Sequence, residues 1–285
     1  MKHKRLICFV FFFILLLYAV GKRYVFPTVE RNMEETVISS DSGHPRPVIE
    51  IHRQEAGEGA KKITYFAADI QLGDATDLRA AFAQNQYGLN IKDTVSDMAQ
   101  EHNAAFAVNG DYYGYRTDGI VIRNGVLYRD EPSHRECLVM YKDGTAEIMQ
   151  EESTSGKKLI EAGAWNVFSF GPVLVENGKI RKGLKKSYKV DFFSGNISGK
   201  EPRLGIGILG ENHLLILAVD GRAEGYSCGV TFRKFAKLFA DYGCELAYNL
   251  DGGSSVTMYQ EGQILNRPSS GEERRISDMI YIRKD

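Results

Sequence analysis

The chain reads as an α+β fold, a mixed, largely antiparallel sheet with a few packed helices. Turn pairs stand between short apolar runs at Asn124-Gly125, Asp143-Gly144, Asn177-Gly178 and Glu261-Gly262, and Asn and Gly tolerate the positive φ that tight hairpins need. The runs themselves are short and rich in β-branched and aromatic residues, as strands are. Helical spacing recurs at few places, so the order of elements does not fit the strand–helix alternation of a doubly wound fold.

The N-terminus stands apart. Lys2, Lys4 and Arg5 precede an uncharged apolar run from Leu6 to Val20. Its helical rise of ~22 Å falls short of a hydrocarbon core of ~30 Å, a gap that snorkelling side chains and local bilayer thinning can close. A cleaved signal peptide is the alternative. Against cleavage, Lys22 and Arg23 follow at once and the small-x-small signal at Ala19 and Gly21 is poor. Residues 1–23 are therefore expected to be a single-pass membrane anchor, its basic flank cytoplasmic and the rest of the chain outside the cell membrane. Residues 24–60 carry Pro27, Pro45, Pro47 and many charges, and read as a stalk. Residues 61–285 are then the domain, long enough to bury a sizeable core.

Within it, Lys62 to Leu72 reads as a strand, and Thr94 as the cap of a helix leading into Met98 and Ala99. Ala104 to Val108 and Leu214 to Val219 are apolar enough for buried strands. Thr231 to Tyr242 places Phe232, Phe235, Leu238 and Phe239 at helical spacing, with Gly243 as the stop. Glu245 to Leu250 follows as a strand. The string from Gly205 to Gly210 matches the dinucleotide fingerprint by its letters, but a turn and a strand follow it where a helix N-terminus is required. It reads as a glycine-rich hairpin strand.

Composition narrows the function. A net charge of −1 with scattered Lys and Arg gives no footprint for nucleic acid. Cys8 lies in the expected anchor; Cys137, Cys228 and Cys244 remain, with no Cys-x-x-Cys pair, so a structural zinc site is not expected. Cys228 and Cys244 flank a helix and could pair, though a buried free thiol is the preferred state of each.

Polar chemistry gathers where apolar strands end. Ala105 to Val108 runs into Asn109-Gly110-Asp111-Tyr112-Tyr113, Leu215 to Val219 into Asp220-Gly221-Arg222, and Leu246 to Tyr248 into Asn249-Leu250-Asp251-Gly252-Gly253-Ser254-Ser255; Arg203 opens another strand. Strand ends on a rigid sheet are where site residues converge. Gly252, Gly253, Ser254 and Ser255 offer close backbone approach and an anion-binding nest. Arg203 and Arg222 suit bidentate phosphate binding. Asp111, Asp220 and Asp251 supply carboxylates for glycosyl chemistry, which usually needs a pair. Each residue alone has a plainer explanation as a turn or a solvated charge; the whole string from Asn249 to Ser255 is harder to explain that way.

That string resembles the hallmark of the phosphodiester glycosidase family. Further matches occur in the family's order: Asn109 to Tyr113, Phe170-Gly171-Pro172, Pro202-Arg203-Leu204, Val219 to Arg222, Gly229-Val230-Thr231 and Asn266-Arg267-Pro268. The hallmark often has a third glycine where Ser254 stands, which blurs which serine is functional. The resemblance implies hydrolysis of a sugar-1-phosphodiester. On it, Asp251 is expected to act at the anomeric carbon as nucleophile or base, with Asp220 as partner carboxylate. Arg203 and Arg222 would neutralise phosphate, and Asn109, Asp111 and Asn249 would orient the carboxylates or the sugar hydroxyls. No metal is demanded, although Asp111, Asp220 and Asp251 could hold Mg²⁺ or Ca²⁺ through oxygens. The expected substrate is a sugar phosphate or an envelope polysaccharide. Two other functions compete: a metal-dependent phosphodiesterase that cuts P–O, and a non-catalytic protein of glycan binding or polysaccharide assembly.

Overall fold

The computed structural model describes residues 26–34, 43–184 and 198–284. The expected anchor, residues 1–23, lies outside the described residues, and among these no helix is long and apolar enough to cross a membrane. Strands β1 (Thr28–Asn32), β2 (Val48–Ala56) and β3 (Ile63–Gln71) are followed by β4 (Arg79–Phe82), β5 (Gln86–Leu89), helix α1 (Val95–Glu101) and β6 (Ala104–Asn109). Next come β7 (Val121–Arg123), β8 (Val126–Arg129), β9 (Glu136–Tyr141), β10 (Ala146–Gln150), α2 (Gly156–Glu161), β11 (Ala164–Phe168), β12 (Val173–Glu176) and β13 (Lys179–Ile180). The last part adds β14 (Arg203–Gly210), β15 (His213–Val219), α3 (Phe232–Asp241), β16 (Leu246–Asn249), β17 (Met258–Gln260), β18 (Gln263–Ile264) and β19 (Asp278–Arg283).

These strands form a seven-stranded sheet in the order β13-β12-β16-β14-β15-β3-β2, two five-stranded sheets in the orders β18-β17-β6-β19-β4 and β10-β9-β11-β7-β8, and the pair β1-β5. The ladders run antiparallel throughout. The few helices and hairpin-linked strands are those of an α+β fold, divided among several sheets.

The stretch 24–60, expected to be a stalk, instead contributes two strands. β2 pairs with β3 along its whole length, from Val48 opposite Gln71 to Ala56 opposite Ile63, and β1 pairs with β5. The charges that suggested a stalk belong to an edge strand. Ile49 and Ile51 pack on the core while Glu50, His52 and Arg53 face water, a common protection for an exposed sheet edge.

Alternation along β3 sorts its side chains between two cores. Phe66, Ala68 and Ile70 meet Phe106, Val108, Leu138, Met140, Ile206, Ile216 and Ile280 in the centre, between the sheets. Ala67 points the other way, into a layer where Leu215, Leu217 and Val219 meet Phe232, Phe235 and Phe239 of α3. Thr231 caps α3 by accepting the Lys234 N–H at 3.3 Å, and Gly243 ends it at φ +85°. The dinucleotide-like glycines serve this packing. A Cβ on Gly207 would stand 2.6 Å from Cys244 Sγ and 2.7 Å from Phe239, and one on Gly205 2.8 Å from the Tyr248 carbonyl oxygen. Cys137, Cys228 and Cys244 are free thiols.

Candidate active site

Register brings the polar strand ends together. Arg203 opens β14 opposite Val219, the end of β15, and Asn249, the end of β16, lies opposite Gly205. β6 belongs to a different sheet, yet its end reaches the same place: Asn109 Nδ2 donates to the Asp251 carbonyl oxygen at 2.9 Å, and Asn109 Oδ1 accepts the Thr257 N–H at 3.1 Å. Asp251 N–H donates in turn to the Gly110 carbonyl oxygen at 3.3 Å.

The hallmark turn is pressed against the start of β14. Gly253 N–H donates to the Pro202 carbonyl oxygen at 2.9 Å, and a Cβ on Gly252 would stand 2.9 Å from that oxygen. Gly253 itself has φ +63°, which favours glycine. A Cβ there would stand 3.3 Å from Arg222 Nη2, so this guanidinium borders the turn. Its partner is Glu201, with Nε 2.6 Å from Oε2. Ser254 Oγ and Ser255 Oγ lie 3.4 and 3.5 Å from Arg274 Nη1.

Asp251 is the carboxyl group this arrangement perturbs. Burial pushes it up to about 6, against the pull of a hydrogen bond from Ser255 and the positive charges of Arg274 and Arg116. A carboxyl poised there exchanges protons readily near neutral pH. Arg116 is buried and holds two carbonyl oxygens through Nη2, those of Asp111 and Ser169. Its Nε and Nη1 have no hydrogen-bond partner among the described residues, and neither has Asn249 Oδ1. Unpaired buried donors and acceptors are costly unless water or a ligand uses them. Above them Tyr112, at φ +75°, stacks on Tyr115 with ring centroids 4.3 Å apart.

Several expected site residues carry hydrogen bonds within the fold. Asp220 is buried; its Oδ1 accepts from Asn266 Nδ2 at 3.0 Å, and both oxygens accept from the Arg267 N–H, at 3.1 and 3.0 Å. The Tyr226 hydroxyl donates to Oδ2 at 2.8 Å. Burial raises the Asp220 carboxyl while these donors oppose the shift. The Arg203 side chain packs against α3 and the segment before it. Its Nε donates to Val230 O at 2.8 Å, its Nη2 to Gly199 O at 2.9 Å, and the guanidinium lies 3.6 Å from the Phe232 ring centroid. Asp111 is fully buried; Oδ1 pairs with Arg123 Nη2 at 2.9 Å and Oδ2 accepts the Ser169 N–H at 2.7 Å. Asn249 braces the turn from behind, donating from Nδ2 to Gly171 O and Leu250 O, both at 2.9 Å.

The three carboxylates that could have held Mg²⁺ or Ca²⁺ have separate sets of hydrogen-bond partners. Among the described residues no three His, Cys, Asp or Glu side chains form a group able to hold a metal ion. The sequence reading passed over Arg116, Arg274, Tyr115 and Glu201, and named Tyr112 only as part of its motif. The aromatic string Tyr112-Tyr113-Gly114-Tyr115 immediately before Arg116 was the available signal; nothing local marked Arg274.

Comparison with known proteins agrees with this geometry. Residues 102–283 match the family model described as phosphodiester glycosidase. The SPbeta prophage-derived uncharacterized protein YomE of Bacillus subtilis (strain 168) is 33% identical over 204 residues, which cover 69% of this chain and 30% of that protein. The chain therefore spans under a third of that relative's length. The catalytic domain of zebrafish N-acetylglucosamine-1-phosphodiester alpha-N-acetylglucosaminidase, auto-inhibited by its pro-peptide, superposes with a TM-score of 0.70 at 20% identity, covering 90% of this chain and 89% of that one. A hypothetical protein from Synechocystis gives 0.55 at 13% identity, covering 82% of this chain and 62% of that one. The ordered motifs, the shared architecture and the matched residues agree: the chain belongs to the phosphodiester glycosidase family.

Proposed function

We propose that this chain hydrolyses the C1–O bond of a glycosyl-1-phosphodiester, outside the cytoplasm, in the metabolism of a cell-envelope polysaccharide. The observation that carries the proposal is the Asp251 carboxyl, raised to about 6 by burial and set among the hallmark turn, Arg274 and a buried Arg116 whose Nε and Nη1 are unpaired among the described residues. In the reaction, oxygen from water bonds to C1 as the C1–O bond breaks. The phosphate leaves as a monoester with the electron pair of that bond, the sugar keeps one proton of the water as its new hydroxyl, and the other is released. Asp251 acts at C1, either as the attacking carboxylate or by taking a proton from the attacking water. A phosphate ester is a good leaving group, so charge stabilisation by guanidinium contributes more than proton donation. We assign that stabilisation to Arg116 and Arg222, which lie near Asp251 and the hallmark turn.

The extracytoplasmic setting is supported by the basic residues and apolar run at the N-terminus. An envelope polymer is a substrate that an anchored hydrolase would meet there. Hydrolysis in ¹⁸O-labelled water tests the chemistry: label in the sugar supports C1–O cleavage, and label confined to the phosphate would overturn it.

A further inference from the structure

Beside Asp251 stands a second cationic feature that hydrolysis at C1 does not require. Lys92 Nζ lies 4.8 Å from the Tyr115 ring centroid, and the Arg274 guanidinium carbon 6.0 Å from the same centroid. Tyr115 is backed by Tyr112, so one aromatic pair carries both cations. Like charges gathered on one ring repel unless an anion lies between them. Burial and the charge of Arg274 both lower the Lys92 ammonium.

The carboxylates nearby do not relieve this. Asp93, next to Lys92 in the chain, pairs with Arg275 at 3.2 Å and accepts the Thr94 N–H at 3.0 Å. Glu273, next to Arg274, accepts the Ser96 N–H at 3.1 Å and the Ser96 hydroxyl. Among the described residues neither Lys92 nor Arg274 has a carboxylate at ion-pair distance; the polar neighbours of Arg274 include the Ser254 and Ser255 hydroxyls and that of Tyr115. The hallmark turn thus continues into a rim with two positive charges, neither in a direct ion pair, of which Arg274 also acts on the Asp251 carboxyl.

We infer that Lys92 and Arg274 on the Tyr115 ring form a second anion subsite next to Asp251, which takes a further phosphate or carboxylate of the same substrate molecule. This rests on the hydrolase reading above and narrows it. The substrate is an anionic polymer with charge on neighbouring units, and an isolated sugar phosphodiester fills only part of the site. Long-range attraction of this kind is screened by salt, so preference for the polymer falls as ionic strength rises.

Binding and turnover test it separately, on the full chain in detergent. Binding is measured for oligo(glycerol phosphate), for oligogalacturonate and for glycerol phosphate as a single-anion control. At low salt at least one oligomer should bind about tenfold or more tighter than the control. Which oligomer it is tells phosphate from carboxylate. Lys92→Gln should remove most of that preference, and Lys92→Arg should keep it. For turnover, a sugar-1-phosphate methyl ester is compared with the same sugar phosphate carrying a glycerol phosphate tail. Lys92→Gln should raise KM for the tailed substrate by about fivefold or more, with kcat and the short substrate's KM changed less than about twofold. Equal binding of oligomers and control by the wild-type chain, or equal effects of Lys92→Gln on both substrates, would overturn the subsite. Lys92-dependent oligomer binding with no hydrolysis of either substrate would keep the subsite and sink the hydrolase reading.

Discussion

Asn109 Nδ2 donates to the carbonyl oxygen of Asp251 at 2.9 Å, although the strands that end at Asn109 and Asn249 belong to different sheets. The amide of Asn109 is spent on backbone, with its oxygen taken by the Thr257 N–H. Its duty is to join two sheets at the point where Asp251 emerges. The polar ends of β6 and β16 therefore form one rigid edge, and the perturbed carboxyl is held by covalent structure on both sides of that bond.

Replacing Asp251 by Asn should lower kcat by about a thousandfold or more, since no amide can attack or deprotonate at C1. Stability should move the other way. The folded carboxyl is raised to about 6, above ~4 for an unfolded chain. Between those values the folded protein holds a proton that the unfolded chain has lost, so this group's favourable contribution is complete below about pH 4 and is lost as pH rises through about 6. Asp251→Asn has no such loss. Its Tm relative to wild type should climb between about pH 4 and pH 7, by an amount equivalent to at most roughly 2–3 kcal/mol. Calorimetry across that range checks the trend, and a flat difference would count against a raised carboxyl.

Asp220 and Arg203 should behave as stability residues. Asp220→Ala leaves the Asn266 amide, the Arg267 N–H and the Tyr226 hydroxyl without their acceptor, at a cost of roughly 2–4 kcal/mol. Arg203→Lys keeps the charge but cannot span both Val230 O and Gly199 O or lie flat on Phe232. Urea denaturation should show a lower midpoint for both. Per folded molecule, kcat should stay within about tenfold of wild type, as expected of side chains whose hydrogen bonds go to the fold. A loss as large as that of Asp251→Asn, in a variant with unchanged stability, would return Asp220 to the chemistry.

These two residues show where the sequence could be read and where it could not. The turn from Asn249 to Ser255 was legible because its chemistry is contiguous: a carboxylate, two glycines and two hydroxyls in a row after an apolar strand. Asp220 and Arg203 also sit at strand ends beside glycine, and look the same in one dimension. What separates them is the partner, and the partners are distant: Asn266 for Asp220 and Val230 for Arg203. Arg116 and Arg274 escaped for the opposite reason, as ordinary basic residues whose surroundings exist only after folding. α3 was readable from Thr231 to Gly243 because cap, spacing and stop all agree. β2 was not, because the water-facing side of an edge strand gave it the composition of a linker.

Arg116 should matter for substrate more than for fold. Arg116→Lys retains a cation but loses the planar fork, so the free Nε and Nη1 are gone while one carbonyl contact can persist. The expected result is a fall in kcat/KM of roughly 10²-fold, with Tm lowered by a few degrees. Steady-state kinetics alongside thermal melts separate the two effects. If kcat/KM fell only in proportion to the folded fraction, Arg116 would be a brace for the Asp111 and Ser169 carbonyls and nothing more.

Beneath the site, Arg123 is buried between two carboxylates, with Nη2 2.9 Å from both Asp111 Oδ1 and Asp278 Oδ2. This arrangement fixes the turn from Asn109 to Tyr113, since Asp111 also accepts the Tyr113 and Ser169 N–H groups. Burial and the neighbouring Asp111 carboxylate already push the Asp278 carboxyl up, against the pull of Arg123. Removing the guanidinium in Arg123→Met leaves two buried carboxylates without a counter-charge, at a cost of roughly 3–5 kcal/mol. The remaining carboxyls then hold protons more tightly in the folded state than in the unfolded chain. Proton binding by the folded form is favoured at low pH and is lost as pH rises, so the deficit should be smallest near pH 5 and largest near pH 8, on the order of 1–2 kcal/mol apart. Urea titrations at the two pH values measure it directly. A deficit that grew toward acid would mean that the folded variant binds fewer protons than wild type, and that Arg123 is not the counter-charge of these carboxyls.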